Sequence, residues 1–141
     1  MRACERLRAT GADIVLGLFE GALTDGLDLV STDPLGRVTN LLTKEEAPAR
    51  RDGDIGYMLA AWGPGFTRFL VEETRRLSDL ARSGACGPSP DWPMGAVIAA
   101  AVRAGLHVDS VFLRDARFLD IGTPAGPAAA GGFPGVWLGR D

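Results

Sequence analysis

The sequence predicts an α/β fold in which one mixed sheet is flanked by helices. Residues 13–19, Asp13-Ile14-Val15-Leu16-Gly17-Leu18-Phe19, form a near-continuous apolar run of the kind that is buried on both faces of a sheet. This run follows a charged, helix-forming stretch that stops at Gly11, and a helix leading into a buried strand is the order found within α/β units. Two amphipathic stripes, over 64–82 and 94–104, then alternate with further strand-like runs.

Taken in order, residues 2–10 form a short helix with Ala3 and Leu7 facing inward and Gly11 as its stop. Residues 27–31 and 36–42 read as strands on either side of Asp33-Pro34-Leu35-Gly36. Proline followed by glycine between such runs is turn chemistry, so the pair forms a hairpin. Residues 44–54 are polar and contain Pro48, Arg50, Arg51 and Gly53, which makes them a surface loop. Residues 55–62, with Tyr57, Met58 and Leu59, read as another largely buried strand.

Pro64 suits the first turn of a helix, and Phe66, Phe69, Leu70, Leu77 and Leu80 recur along it at helical spacing. That helix ends near Gly84, and a loop rich in glycine and proline runs to Pro93. Met94, Val97, Ile98, Ala101 and Val102 make the second stripe, stopped by Gly105. In the strand over 106–113, Leu106, Val108 and Phe112 share one face and Val111 and Leu113 the other. Residues 125–130 suit a short helix, and 131–141 are a Gly/Pro-rich tail without a clear element. There are no internal repeats.

A length of 141 residues fits one domain, large enough to bury a core without disulfides or metals. Apolar residues at 46% and charged residues at 23% are ordinary for a globular protein. A net charge of −3, with few aromatics, argues against a nucleic-acid surface and gives no reason to expect a membrane partner. Cys4 and Cys86 stand apart with no ligand-spaced companions, so buried or idle thiols are expected rather than a zinc site or a disulfide framework. No apolar run has the roughly 20 residues a membrane span needs, and the charged N-terminus lacks the apolar centre of a signal peptide. The sequence-based expectation is a cytoplasmic protein.

The motif richest in chemistry is Arg117-Phe118-Leu119-Asp120-Ile121-Gly122-Thr123-Pro124. Its carboxylate stands where a strand-like run ends, its glycine lets backbone come close, and its proline can start a helix. Read from the residues alone, Asp120 suits either a turn or capping role or a hard oxygen ligand for a cation. Lys44 is either a solvated loop lysine or a phosphate contact, and Arg50-Arg51 read as a solvated loop. His107, the only histidine, has no nucleophile or acid at a recognisable spacing. Trp62 and Phe66 read as core where a strand meets its helix, Trp62 with stacking on a sugar as its alternative, and Trp92 as a loop anchor with a lid or partner contact as its alternatives.

Several of these pieces occur in an order that resembles the C-terminal half of bacterial sugar-phosphate nucleotidyltransferases, the glucose-1-phosphate thymidylyltransferase type above all. The resemblance covers about residues 5–130. It runs through Ala12-Asp13-Ile14-Val15-Leu16-Gly17-Leu18-Phe19, the Gly36-Arg37-Val38 hairpin return and Lys44. It continues through Ala61-Trp62-Gly63-Pro64-Gly65-Phe66-Thr67 and Ala101-Val102-Arg103-Ala104-Gly105-Leu106-His107-Val108 to Phe118-Leu119-Asp120-Ile121-Gly122-Thr123-Pro124.

That resemblance implies a partial dinucleotide-fold-like architecture, that of the nucleotide-diphospho-sugar transferases. Residues 1–130 would be the sugar-acceptor portion and 131–141 a tail. It also implies transfer of a nucleotidyl group from a nucleoside triphosphate to a hexose 1-phosphate, with release of pyrophosphate and the help of Mg²⁺. By likeness to the family, Asp120 would hold the metal, and Lys44, Gly56 and Thr123 would meet the sugar phosphate. Lysine suits phosphate as a flexible point charge.

No glycine-rich phosphate loop stands in the sequence, so the expectation is a shortened form, inactive by itself, in which Mg²⁺ binding is weak or absent. The alternatives are a subunit completed by a separate N-terminal partner, or a non-catalytic sugar-phosphate-binding or interaction module. A sheet edge left unpaired is also expected, and such an edge invites dimerisation.

Overall fold

The computed structural model describes residues 2–20, 27–46, 55–84 and 92–114. Its elements in chain order are α1 (Arg2–Thr10), β1 (Ile14–Glu20), β2 (Leu29–Thr32), β3 (Val38–Leu42), β4 (Ile55–Trp62), α2 (Pro64–Arg82), α3 (Met94–Arg103) and β5 (Val108–Phe112). The five strands make one mixed sheet in the order β3-β2-β4-β1-β5. β1 runs parallel to β5, and the other pairings are antiparallel. Asp120, Thr123, the Arg50-Arg51 pair, Cys86 and the tail lie outside the described residues.

β1 is the centre of the molecule because it is apolar on both sides. Ile14, Val15 and Leu16 are wholly buried. Ile14, Leu16 and Leu18 join Val30, Val38, Leu41, Phe66, Val97, Ile98 and Val108 in the main core, under α2 and α3. Val15 turns the other way, onto Ala3 and Leu7 of α1 and Ala61 of β4. A strand's side chains alternate between faces, so an uninterrupted apolar run is what burial on both faces demands.

Glycines end the helices where expected. Gly11 follows α1 at φ 63° and Gly105 follows α3 at φ 83°, a backbone region that side-chain-bearing residues avoid. The β2–β3 hairpin closes through Asp33, whose Oδ1 accepts the N–H groups of Leu35 and Arg37, each at 2.9 Å. Gly36 completes that turn at φ 89°.

The hairpin turn also touches the far end of the sheet. The backbone of Arg37 forms an isolated antiparallel β-bridge with Asp109 of β5, and the Ser110 hydroxyl donates to the Gly36 carbonyl at 2.6 Å. Arg6 of α1 meets the same place, donating to both oxygens of Asp109 at 2.7 and 3.1 Å and to the Leu35 carbonyl at 3.0 Å. Arg6 thereby ties α1 both to the buried Asp109 carboxylate of β5 and to the hairpin turn.

β4 departs from the expectation of a largely buried strand. Met58, Leu59 and Trp62 are 40%, 46% and 41% exposed. β2 meets β4 only at Leu29↔Gly56, so among the described residues the outer edge of β4 from Tyr57 to Trp62 has no paired strand. Trp62 is correspondingly not core. Its ring lies at the surface, 5.8 Å from Phe66, and Phe66 alone is fully buried at this corner.

Candidate functional site

A cleft of about 350 Å³ opens between the start of β2, the end of the hairpin, β4 and the first turn of α3. Leu27, Asp28, Lys44, Tyr57, Met58 and the Pro93-Met94-Gly95 turn line it. Its lining is mixed, with Leu27, Met58, Pro93 and Met94 beside the polar Asp28, Lys44 and Tyr57.

Two consecutive strand residues, Tyr57 and Met58, both reach this cleft, which regular alternation would forbid. A β-bulge is the reason. Leu18 pairs with Tyr57 and Gly17 with Leu59, so Met58 is an extra residue without a partner on β1. The core contacts record the slip: Ile55 and Tyr57 face the main core, and then Ala60 does so. Bulges re-aim side chains in this way beside functional sites. Gly17 permits the close approach, because a Cβ there would stand 3.0 Å from that of Leu59.

Lys44 is placed by a reciprocal turn. The Glu46 carboxylate accepts the Thr43 N–H and the Thr43 hydroxyl, each at 3.1 Å, while the Glu46 N–H donates to the Thr43 carbonyl at 2.9 Å. This is a closed Thr-x-x-Glu turn, in which the Glu46 carboxylate reaches back to the Thr43 N–H, and Lys44 is the first residue inside it. These hydrogen bonds hold the Glu46 carboxyl below the usual carboxylate range. The Lys44 ammonium stands 3.9 Å from Glu45, an exposed pair of little strength.

The polar centre of the cleft is Asp28. Its Oδ1 accepts the Lys44 N–H at 2.8 Å and its Oδ2 accepts the Tyr57 hydroxyl at 3.3 Å. Gly95 backs it so closely that a Cβ at that position would overlap the carboxylate. Burial raises the Tyr57 pKa well above the phenol's ordinary value, and the charge and hydrogen bond of Asp28 add to that rise. The phenol therefore acts as a donor throughout the neutral range.

Of the residues expected from the sequence to form a site, Lys44 lines this cleft. Gly56 sits one residue before Tyr57, buried where β1, β2 and β4 meet, and pairs with Phe19 and Leu29. Asp120 and Thr123 lie outside the described residues. His107 is structural by its backbone: its N–H donates to Asp13 Oδ2 at 3.0 Å, and its carbonyl accepts the Asp13 N–H at 2.9 Å.

Asp28, Tyr57 and Gly95 went unmarked in the sequence. The one available signal was a carboxylate interrupting the apolar run Leu27-Asp28-Leu29-Val30. Among the described residues no three His, Cys, Asp or Glu side chains gather as a metal site. Cys4 is an exposed free thiol. Among the described residues, too, no helix is long and apolar enough to cross a membrane.

No protein-family model matches the chain, and no curated protein does. Solved structures do match. The nucleoside-diphosphate-sugar pyrophosphorylase from Vibrio cholerae RC9 superposes with a TM-score of 0.55 at 13% identity, over 86% of this chain and 47% of that one. The chain shares the fold of that part of the neighbour it superposes on and spans about half the neighbour's length.

Proposed function

We propose that this chain is the acceptor side of a sugar-phosphate nucleotidyltransferase, and that its cleft receives a hexose 1-phosphate. The observation that carries this reading is the cleft itself, where Lys44 and the first turn of α3 converge on a carboxylate within a fold similar to a nucleotide-sugar pyrophosphorylase. A flexible ammonium and a helix N-terminus both favour the phosphate of such a ligand.

The reaction belongs to an assembly of this chain with a nucleotide-binding portion, since residues 1–141 display no glycine-rich triphosphate loop. In that assembly the sugar phosphate attacks the α-phosphate of a nucleoside triphosphate, and pyrophosphate leaves. Asp120 and Thr123 are further proposed contacts, to metal and to sugar phosphate respectively. The open edge of β4 from Tyr57 to Trp62 favours a strand supplied by the other portion.

Calorimetric titration of the chain with glucose 1-phosphate tests the acceptor reading. Binding is expected, and Lys44→Ala should weaken it about tenfold, the loss of one charge-assisted contact. No nucleotide sugar should form when a triphosphate is added to the chain by itself. Absence of sugar-phosphate binding, or indifference to Lys44→Ala, would remove the reading.

A further inference from the structure

The cleft holds a group that the phosphate does not use. A carboxylate accepts hydrogen bonds at about four lone-pair positions and donates none when ionised. Asp28 spends one on the Lys44 N–H and one on the Tyr57 hydroxyl, and those are its partners among the described residues. Asp28 nevertheless lines the cleft. Gly95 closes the space behind it, and the two donors fix its orientation. Such a group attracts hydroxyl hydrogens and repels anions.

We infer that Asp28 is the specificity-determining residue of this cleft, accepting hydrogen bonds from hydroxyls of a sugar ring and confining a ligand's phosphate to the Lys44 side. This rests on the proposed acceptor function and deepens it, because it states which end of the ligand faces which wall. A bare phosphate finds Lys44 and the helix turn but meets an opposing charge at Asp28. A hexose phosphate places donors against that same charge. The cleft therefore selects for the polyhydroxylated ring and rejects inorganic anions.

The decisive comparison is Asp28→Asn against the wild type, titrated with glucose 1-phosphate and with inorganic phosphate. Asparagine keeps the size and one acceptor for the Lys44 N–H, but it loses the charge and turns one oxygen into a donor. Glucose 1-phosphate binding should weaken about ten- to a hundredfold, the range for a charge-assisted hydrogen bond. Inorganic phosphate should bind more tightly to the variant. A merely structural role cannot move the two ligands in opposite directions.

Deoxy analogues of glucose 1-phosphate, one hydroxyl removed at a time, provide the same test on the wild-type chain without any folding risk. At least one should bind about tenfold more weakly. Equal weakening of both ligands by Asp28→Asn, or indifference of the wild type to every deoxy position, overturns the assignment while leaving the acceptor reading intact. A wild-type chain that binds no sugar phosphate removes both.

Discussion

Arg6 and Asp109 form a two-pronged ion pair in which the carboxylate side chain is 3% exposed and the guanidinium side chain 38%. Burial alone would raise the Asp109 carboxyl. The Arg6 hydrogen bonds, the Ser110 N–H at 2.8 Å and the Arg6 charge together take it below the usual carboxylate range. Removing the partner of a buried charge costs about 3–5 kcal/mol, and the partial exposure of Arg6 reduces this to about 2–3 kcal/mol for Arg6→Met. Urea denaturation at neutral pH measures it, and a loss under about 0.5 kcal/mol would show the pair to be ornamental.

The same pair has a pH signature. A carboxyl depressed in the folded state contributes stability that is present above its unfolded pKa of about 4 and is lost as pH falls through the folded value. Wild-type stability should drop below about pH 4, and the gap between wild type and Arg6→Met should close there, because the protonated carboxyl no longer needs the guanidinium. A gap unchanged between pH 7 and pH 3 would mean that the two residues act by packing alone.

Tyr57 is the chain's single tyrosine, so its ionisation can be followed by absorbance without interference. Burial first, then the Asp28 charge and hydrogen bond, raise its pKa. A group raised on folding contributes stability that is complete below its unfolded pKa of about 10 and is lost as pH climbs toward the folded value. In the folded chain the phenol should therefore resist titration at pH 10. Asp28→Asn should bring its pKa down part of the way, since burial persists when the charge is gone. A phenol that titrates near 10 in the folded wild type would refute the buried Tyr57–Asp28 contact.

Much of the fold was legible because its signals are local. Gly11 and Gly105 stop helices where the sequence places them, the Pro34-Leu35-Gly36 turn closes its hairpin, and the run through Ile14 to Phe19 is buried on both faces. The cleft was not legible for the opposite reason. Asp28 acquires its role from residues 16 and 29 positions away, and the bulge at Met58 exists only as a register against Gly17 and Leu18. Trp62 misled because an aromatic at a strand–helix junction usually packs inward. Here Phe66 fills that space, and the indole remains at the rim.

The outer edge of β4 should make the chain self-associate. Met58, Leu59 and Trp62 present apolar surface there, and the described residues pair no strand against it beyond Gly56. Exposed edges of this kind recruit other strands, and an inserted lysine blocks them. Sedimentation velocity should show association that grows with concentration and is suppressed by Leu59→Lys. A wild type that stays monomeric at every concentration would show that the edge is protected.

Gly95→Ala opposes two effects of known size. Alanine in a helix interior is favoured over glycine by about 1 kcal/mol, and by less at the second residue of a helix, so an unobstructed Gly95 site would gain a little stability. The added methyl, however, falls on the Asp28 carboxylate, which the Lys44 N–H and the Tyr57 hydroxyl hold in place. Overpacking typically costs about 1–3 kcal/mol, so a net loss is expected. Asp28→Ala in the same chain removes the obstruction and should convert that loss into the helix gain. The double-mutant cycle should then show a coupling above about 1 kcal/mol, measured by urea denaturation of the four proteins. Additive effects of the two substitutions would mean that the carboxylate swings freely aside, and that the cleft has no fixed acceptor wall.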